Sequence, residues 1–298
     1  MFTISMRGLF RFRSYHTGQF LGKAVFHKKG DVNMTSSPRG MDPKTLKILV
    51  NSDNHVWTWN PLSGRDGSML KKNTAPILSA LTPDGDAAIV TTPYDHLEVW
   101  NLPTLTRVRS FVYHPVHYMT ALTNNIIAAV AHKTIYVTNI HMGSNEYILN
   151  VNSVITALQC VNGNIVAASV DGTIRIWDRC SGNILQSITI GKVVHYMLPY
   201  DYTIYCITTD GHMGMLDLRT NLYYNFYDDR REISITAVDV LSNGVMVQGL
   251  ENGTIVTRDI DGKKMGTFKA HCQQVKTLLA LPDNKLLSGD GYTLTVWE

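Results

Sequence analysis

No apolar run in the 298 residues approaches the roughly 18 needed to cross a bilayer as a helix, so no membrane span is expected. Cysteine is scarce. Cys160, Cys180, Cys206 and Cys272 are the only four, and none stands in a CxxC pair or a zinc-type spacing. This excludes a disulfide-stapled secreted scaffold and reads as reduced thiols inside a cell. Charge of one sign is lacking too. Residues 1–30 hold Arg7, Arg11, Arg13, Lys23, Lys28 and Lys29 and no acid, leaving 21 of the 27 basic residues against all 24 acidic ones. A body so nearly balanced lacks the basic face of a nucleic-acid binder, and no nucleic-acid partner is expected. Nucleophile elbows, phosphate loops and zinc-hydrolase motifs are absent, and the acids are scattered through turns. No catalytic residue, cofactor or metal is therefore expected.

What the sequence does have is a repeat. Trp59, Trp100, Trp177 and Trp297 each close a short alternating segment: VWTWN, LEVWN, IRIWD and LTVWE. Stepping at the same period places Thr138, Leu216 and Arg258 in register, with steps of 41, 38, 39, 39, 42 and 39 residues. Each unit begins with an apolar run, as at residues 77–82, 154–160 and 275–281. A turn rich in Gly, Asn or Asp follows, such as Asn162-Gly163 or Asn243-Gly244, where positive φ costs little. A second β run comes next (87–92, 165–169, 245–249), then a second turn, then the strand that ends at the Trp position. A fourth, more polar strand leads onward, as at 183–189 and 263–269. Four short strands per unit of about forty residues is the grammar of a propeller blade.

The segment VDGTIRIWD, residues 170–178, resembles the WD-repeat signature almost residue for residue. The resemblance covers about residues 17–298. It is strong in the fourth unit, good in the first, second and seventh, and degenerate in the third, fifth and sixth. It implies an all-β, seven-bladed WD-repeat β-propeller at 17–298, preceded by a basic tail at 1–16. The seventh unit stops after three strands at Glu298. Residues 17–27 have the form of a fourth strand and its linking turn, so residues 19–26 are expected to pair with 292–297 and close the ring. Residues 32–37 are then the innermost strand of the first blade.

The resemblance also implies a buried network in which His, Ser or Thr, Asp and Trp satisfy one another; Trp can only donate and needs an acceptor. The seventh unit offers His271, Ser288, Asp290 and Trp297. The fourth offers Ser169, Asp171 and Trp177, with Asn150 near the His place. The first offers His27, Asp53 and Trp59, and the second Trp100. These are structural roles, not a catalytic triad.

Partner binding is expected on the turns of the rim: Asn54, Tyr94, His117, His132, Lys192, Arg231 and Gln273. His114 and His117 form an HxxH pair, but without further ligands nearby it reads as a partner-facing turn, not a metal site. In residues 222–227 alternation leaves either Tyr223 and Tyr227 or Tyr224 and Phe226 facing out, beside Asp228, Asp229, Arg230 and Arg231. Leu216-Asp217-Leu218-Arg219 resembles the Trp-Asp-x-Arg motif of ubiquitin-ligase substrate receptors, with Leu in place of Trp. The expectation is a protein-interaction scaffold, monomeric on its own, that binds proteins or peptides through its rim. The alternatives are a ligase substrate receptor acting through Arg219, and a propeller hydrolase. A cytoplasmic or nuclear location is expected. The alternative is mitochondrial, because residues 1–15 resemble a transit peptide: three arginines, two serines and no acid.

Overall fold

A computed structural model describes residues 3–4, 8–9, 12–13, 20–21, 23–25, 33–36, 48–52, 55–59, 68–72, 79–82, 86–91, 96–226, 234–259, 262–290 and 293–297. They divide into two compact units, residues 75–228 and residues 1–74 with 229–298.

The unit at 75–228 holds four sheets, each an antiparallel meander of four consecutive strands. In chain order of all the sheets these are the second to the fifth. The second contains Ser79–Leu81, Ala87–Thr91, His96–Asn101 and Thr106–Val112. The third contains Tyr118–Ala121, Ile126–Ala131, Thr134–Asn139 and Ser144–Asn150. The fourth contains Ile155–Val161, Asn164–Ser169, Thr173–Trp177 and Ile184–Thr189. The fifth contains Val194–Tyr200, Thr203–Thr208, Met213–Asp217 and Leu222–Phe226.

The fourth sheet shows why such strands read as nearly continuous apolar runs. Successive side chains point to opposite faces. Ile165, Ala167 and Trp177 pack with Val130, Ile135 and Val137 of the third sheet. Val166, Ala168, Ile174 and Ile176 pack with Ile204, Cys206 and Leu216 of the fifth. Both faces are buried, so alternation survives only on the outer strand Ile184–Thr189, which is half-exposed. The turn into Asn164–Ser169 uses Asn162 at φ 49° and Gly163 at φ 79°, the two positive values that a two-residue hairpin of matching twist requires.

The other unit holds the first sheet (Asn33–Ser36, Ile48–Ser52, His55–Trp59, Ser68–Lys72) and the sixth (Ile235–Val240, Met246–Leu250, Thr254–Arg258, Lys264–Lys269). The seventh is built on Thr277–Ala280, Leu286–Gly289 and Thr293–Trp297. The next strand along it comes from the other end of the chain: Lys23–Val25 runs antiparallel to Thr293–Thr295, with Leu294 opposite Ala24. Phe12–Arg13 joins the same edge, Arg13 parallel to Trp297, and pairs in turn with Phe20–Leu21. Three strands lie within residues 1–16, the segment expected to be a tail: Thr3–Ile4 pairs with Gly8–Leu9, and Phe12–Arg13 is in the seventh sheet's ladder.

A repeated irregularity marks the Trp position. The third and fourth strands slip register between Val99 and Trp100, Val137 and Thr138, Ile176 and Trp177, and Thr257 and Arg258. Thr138 and Arg258 occupy the same structural place as the tryptophans, although their chemistry differs. A bulge of this kind bends the strand and re-aims the side chain beside it. No slip occurs at Leu216 in the fifth sheet.

Candidate functional site

The seventh sheet assembles its four expected residues. Trp297 Nε1 donates to Ser288 Oγ at 2.8 Å, and Ser288 Oγ lies 2.6 Å from His271 Nε2. His271 Nδ1 faces Thr293 Oγ1 at 3.1 Å and Asp290 Oδ2 at 3.4 Å. Asp290 also accepts from the Thr293 backbone N–H and hydroxyl, at 2.8 and 3.0 Å. The donor count orders the protons. The indole can only donate, so Ser288 accepts there; the Asp290 carboxylate can only accept, so Nδ1 is the N–H directed at it, and in the neutral ring Nε2 then accepts from the Ser288 hydroxyl. All five residues are buried. Thr293 is a member that the sequence pattern did not single out.

The fourth sheet answers the same requirement differently. Ser169 Oγ donates to Asp171 at 2.8 Å and accepts from Arg175 Nη1 at 2.8 Å, while Arg175 Nη2 meets the other Asp171 oxygen at 2.9 Å. Trp177 is not bonded to Ser169; it is buried among apolar side chains that include Val151. Asn150, expected near the histidine's place, accepts from Thr134 in the third sheet. In this sheet Arg175, within the third strand, meets the serine. Burial acts to raise the Asp171 pKa, but the bonds from Arg175, Ser169 and the Thr173 backbone prevail and hold it at about 2.

Elsewhere the Trp position is served by other chemistry. Trp100 donates to Glu98 on its own strand at 3.0 Å, and Arg107 pairs with that carboxylate at 3.0 Å, so Trp100 belongs to no Ser–Asp network. Thr138 bonds the buried Tyr113 hydroxyl at 2.6 Å and donates to Asn145 at 2.7 Å. Buried Arg258 donates to Gln248 Oε1 at 3.0 Å and to the Gly262 carbonyl at 3.1 Å. In the fifth sheet Thr208 donates to Asp210, which also meets His212 Nδ1 at 3.2 Å and Lys192 Nζ at 3.9 Å. The Thr208 bond leads in lowering the Asp210 pKa to about 2.

Of the rim residues, His117, His132 and Gln273 are exposed and Lys192 is half-exposed. Asn54, Tyr94, Arg231, Tyr227, His27 and Asp53 lie outside the described residues. Trp59 ends the third strand of the first sheet. Tyr223 is a correction. It packs against the core between the fourth and fifth sheets, its hydroxyl is buried, and Tyr224 is the exposed neighbour. Leu216 is fully buried, as a residue at the Trp position should be. Arg219 is exposed, but its guanidinium sits 4.5 Å above the Tyr202 ring and 3.8 Å from Asp201, so its charge is engaged locally. His114 stacks on Tyr136 with ring centres 4.3 Å apart. Among the described residues no group of three or more His, Cys, Asp or Glu is placed to hold a metal ion. None of the four cysteines is in a disulfide. No helix among the described residues is long and apolar enough to cross a membrane.

Four-stranded antiparallel meanders in series, with a bulged third strand ending at a repeated position, define an all-β repeat protein with sheets of the propeller type. The chain carries a recognisable WD repeat and is similar to WD-repeat proteins. The model of the WD domain, G-beta repeat, matches residues 143–178, which run from the outer strand of the third sheet to the end of the third strand of the fourth. The ciliary WD repeat-containing protein ctxp80 of Euplotoides octocarinatus is 22% identical over 225 residues, covering 72% of this chain and 26% of that protein. The chain thus spans about a quarter of the length of this relative.

Proposed function

We propose that the protein is an interaction scaffold within a multi-protein complex, and that its sheets are the seven blades of one propeller, closed by the N-terminal strand and monomeric on its own. WD repeats generally serve protein–protein interaction. One observation carries the reading: exposed turn residues directly adjoin locked, buried ones. Gln273 and Gln274 stand in solvent two and three residues after His271, whose ring nitrogens are both bonded. A side chain presented from so fixed a base loses little entropy when a partner meets it. The ladder between Lys23–Val25 and Thr293–Thr295 supports closure, because it covers an edge that would otherwise stay open to pairing.

The test is affinity purification of the tagged full chain at native expression, with mass spectrometry of the eluate. A defined set of proteins is expected at constant ratio. It should be lost when Gln273 and Gln274 are both changed to Glu and retained in Ile184→Ser, an outer-strand change. A chain that elutes alone, or a set indifferent to the turn variant, overturns the reading.

A further inference from the structure

Within residues 75–228 the histidines are unevenly placed. In each meander, the starts of the first and third strands and the turn between the second and third share one end; the other two turns lie at the opposite end. His96, His114, His117, His132, His195 and His212 fall at the first end, and His141 alone at the other.

Three of them converge on the third sheet. The His117 backbone N–H donates to the Val130 carbonyl at 2.8 Å, two residues before His132. His132 has φ 58°, a turn conformation. His114 stacks on Tyr136. All three are exposed, as is the adjoining Lys133. Glu146 is the one acid in residues 113–151, and it lies at the opposite end beside Asn139.

Among the described residues, the carboxylates in the corresponding turns of the fourth and fifth sheets are already engaged. Asp171 is held by Ser169 and Arg175, and Asp210 by Thr208, His212 and Lys192. His195 is bonded to the Thr208 backbone, and burial lowers its pKa, so the third-sheet trio carries more of the argument. The opposite end has the reverse balance among the described residues: Asp86, Glu146, Asp178, Asp201 and Asp217 against Arg107, Arg179 and Arg219.

We propose that the end of the third sheet formed by His114, His117, His132 and Lys133 docks an acidic peptide segment of a partner protein, and that the contact tightens as the pH falls below 7. This rests on the scaffold reading and names the chemistry of its partner. Imidazole is the side chain whose ordinary charge change falls between pH 5 and 8, and three of them stand exposed near the fixed cation Lys133. Carboxylate-rich chain keeps its charge over that range, and three surface pairs of ordinary strength correspond to about tenfold in affinity.

The probe is fluorescein-labelled deca-aspartate, titrated with the purified full chain at low salt and followed by anisotropy at pH 7.5 and 5.5. The Kd should fall about tenfold at the lower pH. The gain should vanish in the triple variant His114→Gln, His117→Gln, His132→Asn and persist in His141→Gln. Asn is chosen at 132 because it tolerates positive φ. No binding at pH 5.5, a gain that survives the triple variant, or tighter binding of oligouridylate RNA of equal length each overturns the proposal. Should the triple variant fold poorly, the unmodified chain decides: the peptide must shift three imidazole NMR signals, each lost in one single variant, and no shift overturns the proposal. A chain that captures its partners normally yet shows no pH-dependent peptide binding overturns this inference alone. A chain that captures none overturns the scaffold reading.

Discussion

The ring of Tyr223 lies directly across Gly214 on the neighbouring strand: a methyl group at Gly214 would sit 1.9 Å from the Tyr223 hydroxyl oxygen and 2.2 Å from Cζ. Leu216, next but one to Gly214, stands where other repeats have tryptophan, and the tyrosine packs on the same core as that leucine. A missing large side chain on the third strand is thus accompanied by an aromatic reaching in from the outer strand, and only glycine leaves it room. Gly214→Ala should destabilise the fold by about 1–3 kcal/mol through overpacking. The Tyr223 hydroxyl is buried and without a partner. Tyr223→Phe should therefore leave stability unchanged or raise it, since an unpaired buried hydroxyl costs about 1–3 kcal/mol. Urea unfolding measures both; a loss above about 1 kcal/mol in Tyr223→Phe would show that the hydroxyl has a use.

Ser288 and Ser169 occupy equivalent places but should not be equally important. Ser288→Ala leaves both the Trp297 indole and a His271 nitrogen buried without a partner, at about 1–3 kcal/mol each. Ser169→Ala leaves Arg175 and Asp171 still paired with each other at 2.9 Å and in reach of water. It should cost no more than about 0.5–1.5 kcal/mol. Equal losses in chemical denaturation would mean that the two networks are alike after all.

Tryptophans at the repeated position should rank by burial. Trp177 is buried between two sheets, whereas Trp100 is half-buried and bonded to Glu98. Trp177→Ala should cost about 3–5 kcal/mol, as for a large core aromatic. Trp100→Ala should cost less. The reverse order in unfolding midpoints would contradict the packing described.

Acid should remove a specific part of the stability. Asp171 and Asp210 both have folded pKa values of about 2, below the ordinary 3.8. A depressed folded pKa contributes stability that is present above the unfolded value and is lost as the pH falls through the folded one. The difference in melting temperature between the unmodified chain and Asp171→Asn should hold down to about pH 4 and shrink toward pH 2. A difference that stays constant to pH 2 would show that the Asp171 charge is not what matters.

Closure by the N-terminal strand makes a prediction of its own. A chain beginning at Met41 lacks Lys23–Val25 and Phe12–Arg13, and with them the strands on the Thr293–Trp297 edge. It should melt well below the full chain or come out insoluble. Equal solubility and melting temperature would refute the closure proposal.

Strand positions, hairpin turns and the repeated Trp site were legible in the amino-acid order because each is local. The Asn162-Gly163 turn and the alternation around Trp177 need only near neighbours to act. The expected span 183–189 differs from the observed Ile184–Thr189 by one residue. The Trp297 network was legible in four of its members, His271, Ser288, Asp290 and Trp297, at the places the WD-repeat resemblance implies; Thr293 was found only in the structure. Thr138 and Arg258 were placed by period alone, and the register slip beside each shows that the period follows the backbone and not the side chain.

The order of residues alone therefore determined the repeat, its four-stranded unit and the apolar faces, which follow from short-range sterics and alternation. Tertiary structure decided which partner each buried polar group found: Arg175 and not Trp177 for Ser169, Val151 and not Asn150 beside the indole, Tyr223 turned inward and Tyr224 outward. It also decided that His114, His117 and His132 share one end of a sheet. Such choices depend on distances between strands and on the space each neighbour leaves, and residues 6 to 26 positions apart carry no mark of either until the strands have paired and the sheets have stacked.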